Sequence, residues 1–175
     1  METQGSKVTL PAGLLDVLKP QSFVMLSGLP GLGKTSLAHA IKEMLWELRE
    51  GKVGIVSSDD IWELVAPWGY SPQINQRGYQ MMLDLCTAYM EQGAVTIFDS
   101  TGLTKKHRNR FHWAAVRARA YGANPVSVWF PPDLELSIER RGSVIDEERL
   151  RSFAKSFEEP SSAEPFDFIF EASPV

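Results

Sequence analysis

The run Gly28-Leu29-Pro30-Gly31-Leu32-Gly33-Lys34-Thr35 has glycines spaced to curl a backbone, then a lysine and a hydroxyl in fixed order. It fits G-x-x-x-x-G-K-[ST], a phosphate-binding P-loop. Glycines let such a turn form without Cβ clashes and aim its N–H groups into one hollow. A helix starting there adds partial positive charge. Lys34 is placed to reach β- and γ-phosphates, and Thr35 to put its hydroxyl on Mg²⁺. Three further groups have chemical potential: the pair Asp59-Asp60, the lone Asp99, and Arg140-Arg141. The cluster Lys105, Lys106, His107, Arg108 and Arg110 is the one dense basic patch.

The flanking segments decide whether these groups can meet. Phe23-Val24-Met25-Leu26 is a short apolar run of buried-strand type. Leu37, Ile41, Met44, Leu45 and Leu48 then recur at helical spacing, so the loop joins strand to helix. Strands are also expected at 53–57, 94–98, 125–130 and 166–171. Helices are expected at 10–18, 61–66, 76–92, 104–121, 133–141 and 146–158. The alternation predicts a three-layer α/β fold, a mostly parallel five-stranded sheet with helices on both faces. In such sheets ligands sit beyond the carboxyl ends of the strands. The P-loop, the Asp pair and Asp99 each follow a strand, so the topology would gather them at one edge.

Asp99 ends an apolar strand, as a Mg²⁺-side aspartate does. Ser100 follows it, where a water-hydrolysing ATPase places glutamate, and no N-K-x-D guanine pattern is present. Phosphoryl transfer to a hydroxyl remains. It needs a carboxylate to take the proton and cations to bear charge. We assign Asp59 to the first role and Asp60 to helix capping or acceptor binding. Arg140 and Arg141 lie where a lid would close cations over phosphates. A solvated helix end is the bland alternative, and their position favours the lid. Trp62, Trp68 and Tyr70 suit ring stacking or, more simply, packing of a loop on the core. The basic patch suits polynucleotide phosphates; the bland alternative is a solvated helix face. Cations at a helix N-terminus oppose its dipole, which favours a functional reason. His107 alone is no metal signal. His39 and His112 read as surface or packing residues.

The 175 residues suit a single domain, with residues 1–20 as an N-terminal extension and about 133–158 as a lid region. Apolar content of 43% and charged content of 23% are those of an ordinary globule. A net charge of −4 leaves no global basic field, so nucleic acid would need a local patch. The single cysteine, Cys86, excludes an internal disulfide and reads as core. No apolar run is long enough to span a membrane and no secretory leader is evident, so a cytoplasmic setting is expected.

From Phe23 to Phe170 the chain resembles P-loop kinases of the polynucleotide 5′-hydroxyl kinase type, grouped with zeta-toxin-like kinases. Ser57-Ser58-Asp59-Asp60 is similar to that family's S-x-D-D segment, whose first aspartate is the general base. Asp99-Ser100-Thr101-Gly102-Leu103 resembles its D-N-T-N element, with Arg108 and Arg110 downstream. Arg140-Arg141 resembles its lid signature. Phe157-Glu158-Glu159-Pro160 and Glu164-Pro165-Phe166-Asp167 resemble its closing pattern. The chain departs from the family at Trp62, where an acceptor-binding arginine is usual, at Ser100 and Gly102, and in its short lid.

The resemblance implies an ATP- and Mg²⁺-dependent kinase. Its expected ATP-binding set is Gly28, Leu29, Pro30, Gly31, Leu32, Gly33, Lys34, Thr35 and Ser36. Thr35 and Asp99 are expected on the metal, and Lys34, Asp59, Arg140 and Arg141 in catalysis. Asp60, Trp62, Thr101, Arg108 and Arg110 are expected on the acceptor. The expected acceptor is a nucleic-acid hydroxyl, at a 5′ end or on a modified base. A nucleotide, nucleotide-sugar or antibiotic kinase is the alternative, and a nucleotide-binding switch without transfer stays open.

Overall fold

The computed structural model describes residues 8–49 and 51–174, with backbone only for 48 and 49. Residues 1–7 of the expected N-terminal extension lie outside the described residues, as does the expected inward placement of the Leu48 side chain. The strands are β1 (Phe23–Ser27), β2 (Val53–Ser57), β3 (Val95–Asp99), β4 (Pro125–Trp129) and β5 (Phe168–Glu171). The helices are α1 (Leu14–Val17), α2 (Lys34–Arg49), α3 (Ser58–Val65), α4 (Pro72–Glu91), α5 (Lys105–Arg108), α6 (His112–Ala120), α7 (Leu134–Arg141) and α8 (Glu147–Ser156).

The strands form one sheet in the order β2-β3-β1-β4-β5, every adjacent pair parallel. β1, β3 and β4 are buried at every residue, as expected of inner strands covered on both faces. The edge strands β2 and β5 are only partly buried. One apolar cluster joins Leu37, Ala38, Ile41 and Leu45 of α2 to Val24, Leu26, Ile97 and Val128 of the sheet. The other joins Met82, Cys86 and Met90 of α4, with Phe111 and Ala114, to Phe23, Met25 and Phe98. The sheet is therefore sandwiched, as the alternation implied. Met44, expected on the inner stripe of α2, is 40% exposed instead.

Two helix boundaries differ from expectation in ways that matter. α3 begins at Ser58, so Asp59 and Asp60 sit inside its first turn. Ser57 is the cap, its Oγ accepting from Asp60 N at 3.3 Å. Asp60 is thus not the cap. The segment 104–121 is not one helix: a 3₁₀ turn at Asn109–Phe111 separates α5 from α6. α5 is a single turn capped by Thr104, and Glu158 Oε2 accepts from Lys105 N at 2.6 Å. A carboxylate already answers that helix start, so the dipole argument for a functional patch falls away.

Candidate active site

β1 lies between β3 and β4, so the loop after β1 is flanked by the loop after β3. Gly28 N donates to Thr101 O at 2.9 Å, tying the two loops together. At Gly28 φ is +147°, and a Cβ there would lie 2.9 Å from Phe130 Cβ. At Gly31 φ is +85°, and a Cβ would meet the side chains of Arg141 at 2.9 Å and Arg140 at 3.2 Å. Glycine is required at both by conformation and by space. The Leu29 and Leu32 side chains are fully buried in the core, so they anchor the loop and offer a nucleotide backbone only.

A cleft of ≈ 690 Å³ opens above these strand ends. Pro30, Gly31, Gly33, Lys34, Thr35 and Ser36 line it, together with Asp59, Asp99, Thr101, Arg140 and Arg141. Lys34 Nζ donates to Leu29 O at 2.8 Å. Burial pulls its ammonium down to about 8, against the opposing pull of Asp99 and Asp59; Arg141 adds to the lowering. Thr35 Oγ1 donates to Asp99 Oδ2 at 2.6 Å. Burial pushes the Asp99 carboxyl up, the Thr35 hydrogen bond and Lys34 hold it down, and Asp59 and Asp60 push it further up.

The α7 helix is seated on the loop. Ser137 Oγ donates to Pro30 O at 2.7 Å, and an Arg140 Nη donates to Gly31 O at 3.0 Å. Arg141 Nε is buried without a hydrogen-bond partner among the described residues. A buried guanidinium nitrogen with no partner, beside a lysine and a glycine hollow, has the chemistry of a polyphosphate site. Thr35 and Asp99 have the hard oxygens that suit Mg²⁺. Among the described residues no cluster of three or more His, Cys, Asp or Glu side chains is arranged to hold a metal by itself.

Three residues expected on the acceptor lie elsewhere. Arg108 is completely buried: Nε and an Nη reach Glu164 at 2.6 and 2.8 Å, and the other Nη reaches Gly102 O at 2.8 Å. All three of its nitrogens are engaged by interior acceptors, so its reading as a phosphate contact is corrected to that of a structural clasp. Arg110 does not line the cleft; its guanidinium carbon stands 4.1 Å over the Tyr79 ring. Asp60 is exposed and faces a second groove of ≈ 620 Å³ on the α2 side, shared with Thr35, His39 and Asp99. Trp62 and Thr101 do line the cleft. Trp68 is 98% exposed and does not pack on the core.

The sequence reading missed several cleft residues. Arg149 and Phe153 enter from α8, and Asn75, Tyr79 and His107 form the far wall. The i,i+4 spacing of Arg149 and Phe153 was the available signal for the first pair. His107 Nε2 lies 2.9 Å from Tyr79 Oη. Burial, with help from Arg110 and Arg108, pushes His107 down to about 4, so its ring is neutral at physiological pH. Burial pushes the Tyr79 phenol up.

Among solved structures, the Mycobacterium tuberculosis APS kinase CysC in complex with AMPPNP and APS superposes with a TM-score of 0.62 at 18% identity, covering 87% of this chain and 89% of that one. A Sinorhizobium meliloti gluconokinase gives a TM-score of 0.57 at 13% identity, covering 87% and 82%. A chain of the Pnkp1/Rnl/Hen1 RNA repair complex gives 0.63 at 17%, covering 79% of this chain and 44% of that one. These likenesses establish a kinase-like P-loop fold. No curated protein matches the sequence. A family model described as an AAA domain matches residues 23–160. Family, fold and loop agree: the chain belongs to the AAA_33 family of P-loop kinases.

Proposed function

We propose that the protein is a phosphotransferase that moves the γ-phosphoryl group of ATP to an alcohol. The observation that carries this is the single cleft in which Lys34, Thr35, Arg140 and Arg141 share a wall with Asp59 and Asp99. In this reading the loop amides and Lys34 hold the β- and γ-phosphates. Thr35, with Asp99 bonded to it, would hold Mg²⁺, which when bound draws charge from the phosphoryl oxygens. Asp59 accepts the proton of the acceptor O–H. The acceptor oxygen forms its bond to phosphorus as the bond to the ADP oxygen breaks. Arg140 and Arg141 balance charge on the transferring group.

The acceptor we name first is a nucleic-acid hydroxyl, supported by the resemblance to polynucleotide kinases and by the RNA-repair structural neighbour. A small-molecule alcohol is the second reading. It is favoured by the loss of Arg108 and His107 as charges in the basic patch. Incubation with γ-labelled ATP and a panel of RNA, DNA, modified DNA and metabolites tests both. Transfer that Asp59→Ala removes while AMPPNP still binds supports the proposal. Nucleotide binding with no transfer to any alcohol would leave a non-catalytic switch.

A further inference from the structure

The cations of the cleft are all on one side. Lys34 belongs to the P-loop, Arg140 and Arg141 to α7, and Arg149 to α8. The opposite side presents Trp62, Tyr70, Asn75 and Tyr79 from α3, α4 and the loop between them, and His107 from α5. His107 is neutral and Arg110 lies over the Tyr79 ring without lining the cleft.

The rings of this wall meet edge to face. Trp62 and Tyr79 have centroids 5.3 Å apart at 84°, and Trp62 and Tyr70 5.7 Å apart at 71°. Neither pair is stacked face to face, and Tyr70 is 66% exposed. Trp62 is closely seated on α4: a Cβ at Gly78 would fall 2.2 Å from its indole. A wall of this kind repays burial of a flat ring and leaves a phosphate without compensation for its lost water.

Resting on the phosphotransfer reading, we infer that the acceptor hydroxyl is carried with an uncharged planar ring, that of a nucleoside free or within a strand, laid against the Trp62–Tyr79 wall. Recognition by that wall is through ring contact rather than through an acceptor phosphate.

The test compares four acceptors with Mg²⁺·ATP: free 5-hydroxymethyl-2′-deoxyuridine, an end-phosphorylated oligonucleotide carrying that base, an unmodified oligonucleotide with a 5′-hydroxyl, and gluconate. The inference expects kcat/KM at least about tenfold higher for one or more of the first three than for gluconate, and these arms separate a free nucleoside from a base in a strand. Trp62→Leu should raise their KM about tenfold, in line with loss of one stacking partner. Trp62→Phe should recover most of that, and the KM for ATP should stay within about twofold. Gly78→Ala, which displaces the indole from behind, should raise acceptor KM in the same direction. Preference for gluconate, or equal effects of Trp62→Leu on acceptor and ATP, would overturn the inference. Calorimetry of 5-hydroxymethyl-2′-deoxyuridine with the AMPPNP-bound protein separates the two levels of argument. Ring binding without transfer sinks the phosphotransfer reading alone; AMPPNP binding without ring binding sinks the ring inference alone.

Discussion

The two walls of the cleft are held by different physics. The phosphate-loop wall is fixed by short polar contacts: Lys34 to Leu29 O, Thr35 to Asp99, Ser137 to Pro30 O, Arg140 to Gly31 O. The opposite wall is fixed chiefly by ring edges and by one glycine under an indole, with a single polar contact between Tyr79 and His107. Directional bonds suit a ligand whose geometry never varies, such as a polyphosphate. Ring contacts tolerate substitution and small shifts, so that wall can change its ligand without disturbing the other.

The comparison breaks most severely at Asp59, which lines the same cleft. Asp59→Ala should lower the single-turnover transfer rate by roughly 10²–10⁴-fold, with AMPPNP affinity within about twofold of wild type. Next comes the buried clasp behind the loop after β3. Arg108→Ala leaves Glu164 buried and unpaired, and should cost about 3–5 kcal/mol in urea unfolding. That loss would appear with or without nucleotide, which distinguishes a clasp from a ligand contact.

A smaller effect sharpens the charged wall. Bound phosphates favour the Lys34 ammonium, so the complex holds more protons than the free protein once the pH passes about 8. AMPPNP affinity should be full below pH 8 and fall above it. It should be about tenfold weaker at pH 9, where a group of pKa 8 is roughly one-tenth protonated. Calorimetry across pH 7–9 reads this directly, and Lys34→Met should flatten the profile. The smallest effect belongs to the aromatic side: Arg110→Ala loses a partly exposed cation–π contact, at most about 1 kcal/mol in unfolding. Its slope of oligonucleotide affinity against salt should be unchanged if Arg110 makes no phosphate contact.

Much of the phosphate side was legible because its determinants are local. Gly28 to Thr35 is one contiguous turn, and the carboxylates sit at the ends of strands that apolar runs disclose. The alternation of strands and helices also sufficed for the layers. Strand order did not follow, because pairing of β3 between β1 and β2 depends on where helices cross, not on any single segment. Arg108 read as a surface cation because its partner, Glu164, is 56 residues away. The closing residues that the family resemblance picked out turn out to be tethers: Glu158 to α5, Glu164 to Arg108, Asp167 to Arg119. His107 was read as one more cation of the basic patch; that judgement was one-dimensional, and only the crossing of α4 with the 104–111 segment makes His107 and Tyr79 a wall.

The seat of α7 on the phosphate loop carries a constraint on length. Ser137 and the Arg140–Arg141 pair reach Pro30 and Gly31 from successive turns of one short helix. One added residue ahead of Ser137 would rotate the three by about 100° and lift every contact at once. The turn that follows is bound to the same helix end, Gly142 N donating to Ile138 O at 2.8 Å and Ile145 N to Arg141 O at 2.8 Å. In any descendant of this chain the count from Asp133 to Arg141 must therefore stay as it is.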